Sequence, residues 1–315
     1  MPKARMLSIL VAAMMHCGWI VASARAHPAS GIVVDPTGQV FFVYSGHGVM
    51  RIEPDGKLTC IHPSRGGHWM CLDPQGSFSR TQPKYFQRVT LDGLQPGIIF
   101  ADGGAPIAIC RDGDLYYGSG VDNPEQSKPG GLTVARMTPQ GMITQFSPKL
   151  AKTLAGFNEG VTGLAPGPDG SLYVASPSGV FKVGMNGNVT TIVHPLVVPD
   201  CDKDPPDHDS SRHTPFLRGL AVVSTGTIFA PATSCHRVVR ITPDGLVSMI
   251  LKSERPWSPT AVALHDNDLY VLEYTNANGG PNEGNGWLPR VRKLGHDGRL
   301  TTLVTVSPPA AAQRP

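Results

Sequence analysis

The most chemically loaded stretch of the chain is Asp200–His213, DCDKDPPDHDSSRH. Asp200, Asp202 and Asp204 alternate as the opening ligands of a calcium loop do, where carboxylates two residues apart turn toward one ion. Pro205 and Ser211 then stand where such a loop needs a glycine and a bidentate Glu. His208 and His213 add nitrogen donors of the kind zinc takes, without the fixed spacing of a zinc motif. A divalent metal, calcium or zinc, is therefore one reading of the segment, and a solvated acidic loop is the plainer one. Glu273 raises a different question. It lies inside the apolar run LYVLEY, where a charge needs a partner. The expected partner is Arg290 or Arg292, with a ligand role as the alternative.

Asn158 and Glu159 open another candidate site, Glu159 being a possible metal ligand alongside the aspartates. Its competing role is that of a solvated or hydrogen-bonding loop carboxylate. His47, His62, His68, His194 and His236 complete the set of side chains able to bind or transfer protons. No catalytic residue is assigned, because the chain has no G-x-S-x-G nucleophile setting and no glycine-rich loop opening a helix.

These residues are positioned by a repeat. Val161–Val193 reads as four short strands punctuated by Pro168-Asp169-Gly170, Pro177-Ser178-Gly179 and Met185-Asn186-Gly187. Asp-Gly and Asn-Gly pairs accept the positive φ that a tight hairpin requires. The second turn recurs with its glycine at Gly56, Gly93, Gly141, Gly187, Gly245 and Gly298. Five residues before each stands a cation: Arg51, Arg88, Arg136, Lys182, Arg240 and Lys293. Lys and Arg make up only 27 of 315 residues, so composition does not account for six such coincidences. The units run roughly 31–62, 68–101, 105–147, 160–194, 217–252 and 258–305, the second being the most degenerate. Short strands at a regular period, each unit unable to bury both faces alone, predict an all-β, six-bladed β-propeller of four-stranded antiparallel blades.

The pattern apolar-Gly-Leu-Ala, Asp-Gly-x-Leu-Tyr-Val-Ala, Gly-Val-x-Lys-Val resembles the NHL-repeat propellers and the related SMP-30/gluconolactonase-like propellers. LYVLEY at Leu269–Tyr274 with the following RVRKLGHDG also resembles exported bacterial propellers of the ScyD/ScyE type. These are framework motifs, specifying blades rather than a reaction. The gluconolactonase resemblance implies a divalent metal held by a Glu, an Asn and an Asp from different blades. Asn158, Glu159 and the Asp200–Asp209 cluster are of suitable types, though outside that family's motifs, and Pro28–Ile32 has no acid where the first blade would supply one.

Residues 1–26 read as a cleaved Sec signal peptide: Lys3 and Arg5 ahead of the apolar Met6–Val21, then Ala24-Arg25-Ala26. Cleavage after Ala26 removes Lys3, Arg5 and Arg25, taking 27 basic residues to 24 against 24 acidic ones. A neutral mature chain gives no electrostatic support for nucleic-acid binding. It also leaves no membrane span. Residues 27–305 form the propeller, and 306–315 a disordered Pro/Ala-rich tail. Export to the periplasm or outside the cell permits disulfides. In an up-down blade, the loop entering the blade and the loop between strands two and three share one face. That puts Cys201 and Cys235 together on the fifth blade, so they are expected to pair. Cys71 and Cys110 fall on or beside inner strands, where a thiol packs as a small apolar group.

The long insertions Gly118–Leu132, Ser147–Gly160, Pro195–Phe216 and Thr275–Pro289 fall on that same face, leaving only short glycine-marked turns on the other. Long loops on a rigid scaffold carry function. The reading is an exported propeller that binds a small molecule or an extracytoplasmic protein through its loop-rich face. The alternative is a metal-dependent hydrolase or lyase of the gluconolactonase type, acting at the channel mouth.

Overall fold

The computed structural model describes residues 28–78, 85–89, 97–120, 132–201, 215–276 and 286–307. They form a six-bladed β-propeller. The first blade is β1 (Ile32–Val34), β2 (Val40–Tyr44), β3 (Gly48–Ile52) and β4 (Leu58–Pro63). The second holds β5 (Gly67–Asp73), β6 (Phe86–Val89) and β7 (Gly97–Asp102), and the third β8 (Ile107–Ile109), β9 (Leu115–Ser119), β10 (Thr133–Met137) and β11 (Ile143–Phe146). The fourth is β12 (Gly163–Pro166), β13 (Leu172–Ser176), β14 (Gly179–Val183) and β15 (Val189–Val193). The fifth is β16 (Ala221–Val222), β17 (Ile228–Ala232), β18 (Arg237–Ile241) and β19 (Val247–Lys252). The last is β20 (Ser258–His265), β21 (Asp268–Asn276), β22 (Trp287–Leu294) and β23 (Leu300–Thr305). Each innermost strand lies against the next, and β20 returns to β1. Among the described residues no strand is exchanged between the first and last blades, each being a continuous stretch of chain.

The recurring cation now has a physical explanation. In five blades it sits on the third strand, directly opposite an aromatic residue of the second: Phe41 with Arg51, Tyr116 with Arg136, Tyr173 with Lys182, Phe229 with Arg240 and Tyr270 with Lys293. Lys182 and Lys293 lie 5.7 and 6.0 Å from the centroids of their rings, within cation–π range. Each ammonium then reaches an acid in its own blade's first turn, Lys182 to Asp169 at 2.6 Å and Lys293 to Asp268 at 2.9 Å. The stem covers the ring, the head ties down the turn, and the glycine five residues on (Gly187, φ 75°) makes the next turn.

The second blade departs from the expected meander. Its described strands run β5-β7-β6, so Gly97–Asp102, expected at the outer edge, pairs with the innermost strand. Burial explains the order. Ile98, Ile99, Phe100 and Ala101 are fully buried, whereas β6 exposes Arg88. The all-apolar strand takes the position covered on both faces, and the mixed strand takes the edge. Residues 79–84, between β5 and β6, lie outside the described residues.

One helix, α1 (Pro148–Phe157), occupies the connection between the third and fourth blades, where an irregular loop was expected. Ser147 caps it by accepting from the Leu150 N–H, Pro148 begins it, and Leu150 and Leu154 bury one face at a four-residue spacing. Cys201 and Cys235 form a disulfide with Cα atoms 5.1 Å apart. Among the described residues, no helix is long and apolar enough to cross a membrane. The disulfide fits an extracytoplasmic chain.

Candidate functional site

Glu159 emerges from the C-terminal end of α1. Asn158 takes the left-handed conformation at φ 55° and ψ 43°, its N–H closing on Ala155 and Leu154 carbonyls, and so turns the chain sharply into the fourth blade. One carboxylate oxygen of Glu159 accepts from the Ser176 hydroxyl and the other from Ser178. His194 Nε2 lies 3.6 Å from the same carboxylate and 3.4 Å from Ser178 Oγ. The His194 ring is stacked on Phe157, centroids 3.7 Å apart. Ser178, His194 and Glu159 are the residue types of a hydrolytic triad, but both Ser178 and Glu159 face Nε2. A relay needs the acid on the opposite ring nitrogen from the hydroxyl. The cluster therefore holds Glu159 in place and does not activate a nucleophile.

Beside this anchor is a recess of about 670 Å³ between α1 and the third blade. Leu132, Gln145, Ala151, Lys152, Asn158 and Glu159 line it. An ammonium, a carboxylate, two amides and apolar patches thus share one concavity, the mixture that fixes and orients a ligand of modest size.

The other candidates are not gathered here. Glu273 is fully buried, held by its own blade and by the connection leading into it: Arg290 Nε binds it at 2.6 Å, and Arg292 and Ser253 also donate to it. Both expected arginines hold it. His236 is buried, with Nδ1 2.8 Å from the Trp257 carbonyl and 3.0 Å from Ser258 Oγ. His47 is exposed and stacked on Tyr44 at 3.9 Å, and His62 meets Gln87 at 2.6 Å. His68 accepts from Ser30 N–H through its carbonyl at 2.8 Å. Asp200 is exposed and its carbonyl accepts from Arg237 at 2.9 Å, while Asp202 and Asp204 lie outside the described residues. Among the described residues, no three His, Cys, Asp or Glu side chains approach closely enough to hold a metal ion. The described donors do not gather into a centre of the gluconolactonase type.

The central channel is also unlike such a centre. Its cavity of about 340 Å³ is lined by residues of the six innermost strands and their immediate neighbours, Val33, Cys71, Ala108, Ala165, Ala221 and Ala263 among them, with no carboxylate in the lining. Burial raises the thiol pKa of Cys71, and pushes that of the neighbouring Cys110 up to about 12, which disfavours the thiolate at both. At the loop-rich end Trp69 crosses from the second blade toward the fifth, its ring 3.6 Å from where a Cβ on Gly219 would sit. Arg218 binds the Pro28 carbonyl at 2.9 Å, its pKa lowered by burial to about 10. Among the described residues, a recess on this face lies beside α1 and away from the inner strands. The signals for that placement are local: a Ser-Pro helix start and apolar residues four apart. The serines and histidine around Glu159 are 17 to 35 residues away in sequence and carry no motif.

No family model matches the chain, and no curated protein does. Solved structures do. The PQQ-bound aldose sugar dehydrogenase of Streptomyces coelicolor aligns over 85% of this chain and 94% of its own, with a TM-score of 0.51 at 13% identity. A gluconolactonase of Xanthomonas campestris aligns over 84% and 88%, with a TM-score of 0.49 at 16% identity. Virginiamycin B lyase of Staphylococcus aureus, solved as an inactive variant with quinupristin, aligns over 89% and 85%, with a TM-score of 0.46 at 17% identity. The first shows a shared fold across most of both chains; identities this low carry no reaction with them.

Proposed function

We propose that this chain is an exported propeller, matured by cleavage after Ala26, that binds a small ligand or an extracytoplasmic protein partner through its loop-rich face. The recess between α1 and the third blade is its site. One observation carries this reading: Glu159 is oriented by two serine hydroxyls at the edge of a recess of about 670 Å³. A carboxylate whose lone pairs are held in a fixed direction is pre-organised to meet a donor group on a ligand. Lys152 and Gln145, which also line the recess, suit a molecule carrying both donors and acceptors.

The test is a thermal-shift screen of mature protein against amino acids, sugars and sugar lactones, beside a variant with the recess filled, Ala151→Trp. A compound that raises Tm for the wild type and not for Ala151→Trp supports the site; equal responses from both proteins overturn it. Elemental analysis after dialysis addresses the alternative chemistry. A stoichiometric divalent metal that is retained by the wild type and lost in Glu159→Gln would replace this reading with a metal-dependent hydrolase or lyase.

A further inference from the structure

Arg290 and Arg292 lie on β22, at the junction of the fifth and sixth blades. Both are nine-tenths or more buried, at 6% and 4% exposure. They share the buried carboxylate of Glu273, and this inner part of the cluster carries one excess positive charge. A second carboxylate neutralises it. Glu254 places one oxygen 2.5 Å from Arg290 Nη1 and the other 3.5 Å from Arg292 Nη1. Unlike Glu273, Glu254 sits in a connection on the loop-rich face with a side chain 63% exposed. The arginines hold its pKa below the ordinary glutamate range, Arg290's hydrogen bond first.

Two more features distinguish this pair. Arg290 Nη2 and Arg292 Nε are buried donors with no hydrogen-bond partner. The Arg290 guanidinium also lies over the Trp257 ring, 4.4 Å from its centroid, which fixes its plane. Two guanidiniums held by packing, converging on the two oxygens of one exposed carboxylate, form a fork shaped for a carboxylate rather than for that glutamate in particular.

We propose that Arg290 and Arg292 form a carboxylate-binding clamp on the loop-rich face, with Glu254 as a tethered occupant that an incoming carboxylate displaces. The site is separate from the recess at α1 and does not depend on it. A tethered competitor acts at an effective concentration on the order of millimolar, so the wild type binds free carboxylates weakly and removing Glu254 opens the clamp.

The experiment uses Glu254→Ala in the mature protein, titrated with propionate, the free equivalent of the missing side chain. Propionamide, phosphate and chloride at matched ionic strength are the controls, and Tm and tryptophan fluorescence are the readouts. Propionate is expected to raise Tm and change the fluorescence of the variant, with apparent affinity at least about tenfold tighter than in the wild type. Glu254→Gln keeps the side chain's bulk and serves for the same titration should the alanine variant fold poorly. Failure of both variants to distinguish propionate from propionamide and chloride overturns the proposal, as does an equal response from the wild type. A response to phosphate without one to propionate overturns the assignment to carboxylates.

Discussion

Glu273 shows how much a single side chain can carry when it is wholly enclosed. Replacing it with Gln leaves two buried guanidiniums with one exposed carboxylate between them. Removing one partner of a buried ion pair typically costs about 3–5 kcal/mol, because the remaining charge cannot be resolvated. Glu273→Gln is expected to lose that much in urea unfolding, as a lowered midpoint at unchanged m value. Glu159 is a contrasting case, with 13% of its side chain exposed and its principal donors neutral hydroxyls. Both carboxylates stand out in the sequence as charges in apolar or loop contexts. What separates a core ion pair from an oriented surface acid is the set of residues that folding brings to each, and those residues are far away along the chain.

At the scale of elements, the cation opposite an aromatic residue is the unit that repeats, and it gives the molecule a pH dependence. Asp268 is held at about 2 by the Lys293 ammonium first and by the His296 backbone N–H. Its folded pKa lies below the unfolded value near 4, so its contribution is fully present above that value and is lost as pH falls toward 2. Asp268→Asn should therefore lower stability at neutral pH by about 1 kcal/mol or less, since Lys293 is 35% exposed. That difference should vanish between pH 4 and 2 in unfolding curves measured across the range. The blades themselves were legible because turn glycines and third-strand cations are local signals at a fixed spacing. The order β5-β7-β6 was not, since which strand occupies the interior depends on competition between GIIFAD and FQRV for the same partner. Helix α1 carried its cap, its proline and its paired leucines in plain view, but a single ten-residue helix interrupts the period that made everything else readable.

For the whole molecule, two fastenings can be weighed. The Cys201–Cys235 disulfide spans 34 residues and ties the long connection between the fourth and fifth blades to the fifth. Reduction is expected to lower unfolding stability by roughly 3–4 kcal/mol on loop-entropy grounds, measured as the difference between oxidised and reduced protein in denaturant. The other fastening is the junction of the first and last blades. There the Tyr274 hydroxyl donates to the Val43 carbonyl and accepts from the Ser45 N–H, and Thr260 donates to the Ala29 carbonyl at 2.7 Å. Among the described residues neither the first nor the last blade contributes a strand to the other, and no peptide or disulfide link crosses this line. The disc behaves like a split washer, with five of its joints bridged by polypeptide and the sixth held by side chains and packing. Under load or mild denaturant it should part there first, spreading into an open arc whose wedges are each still folded.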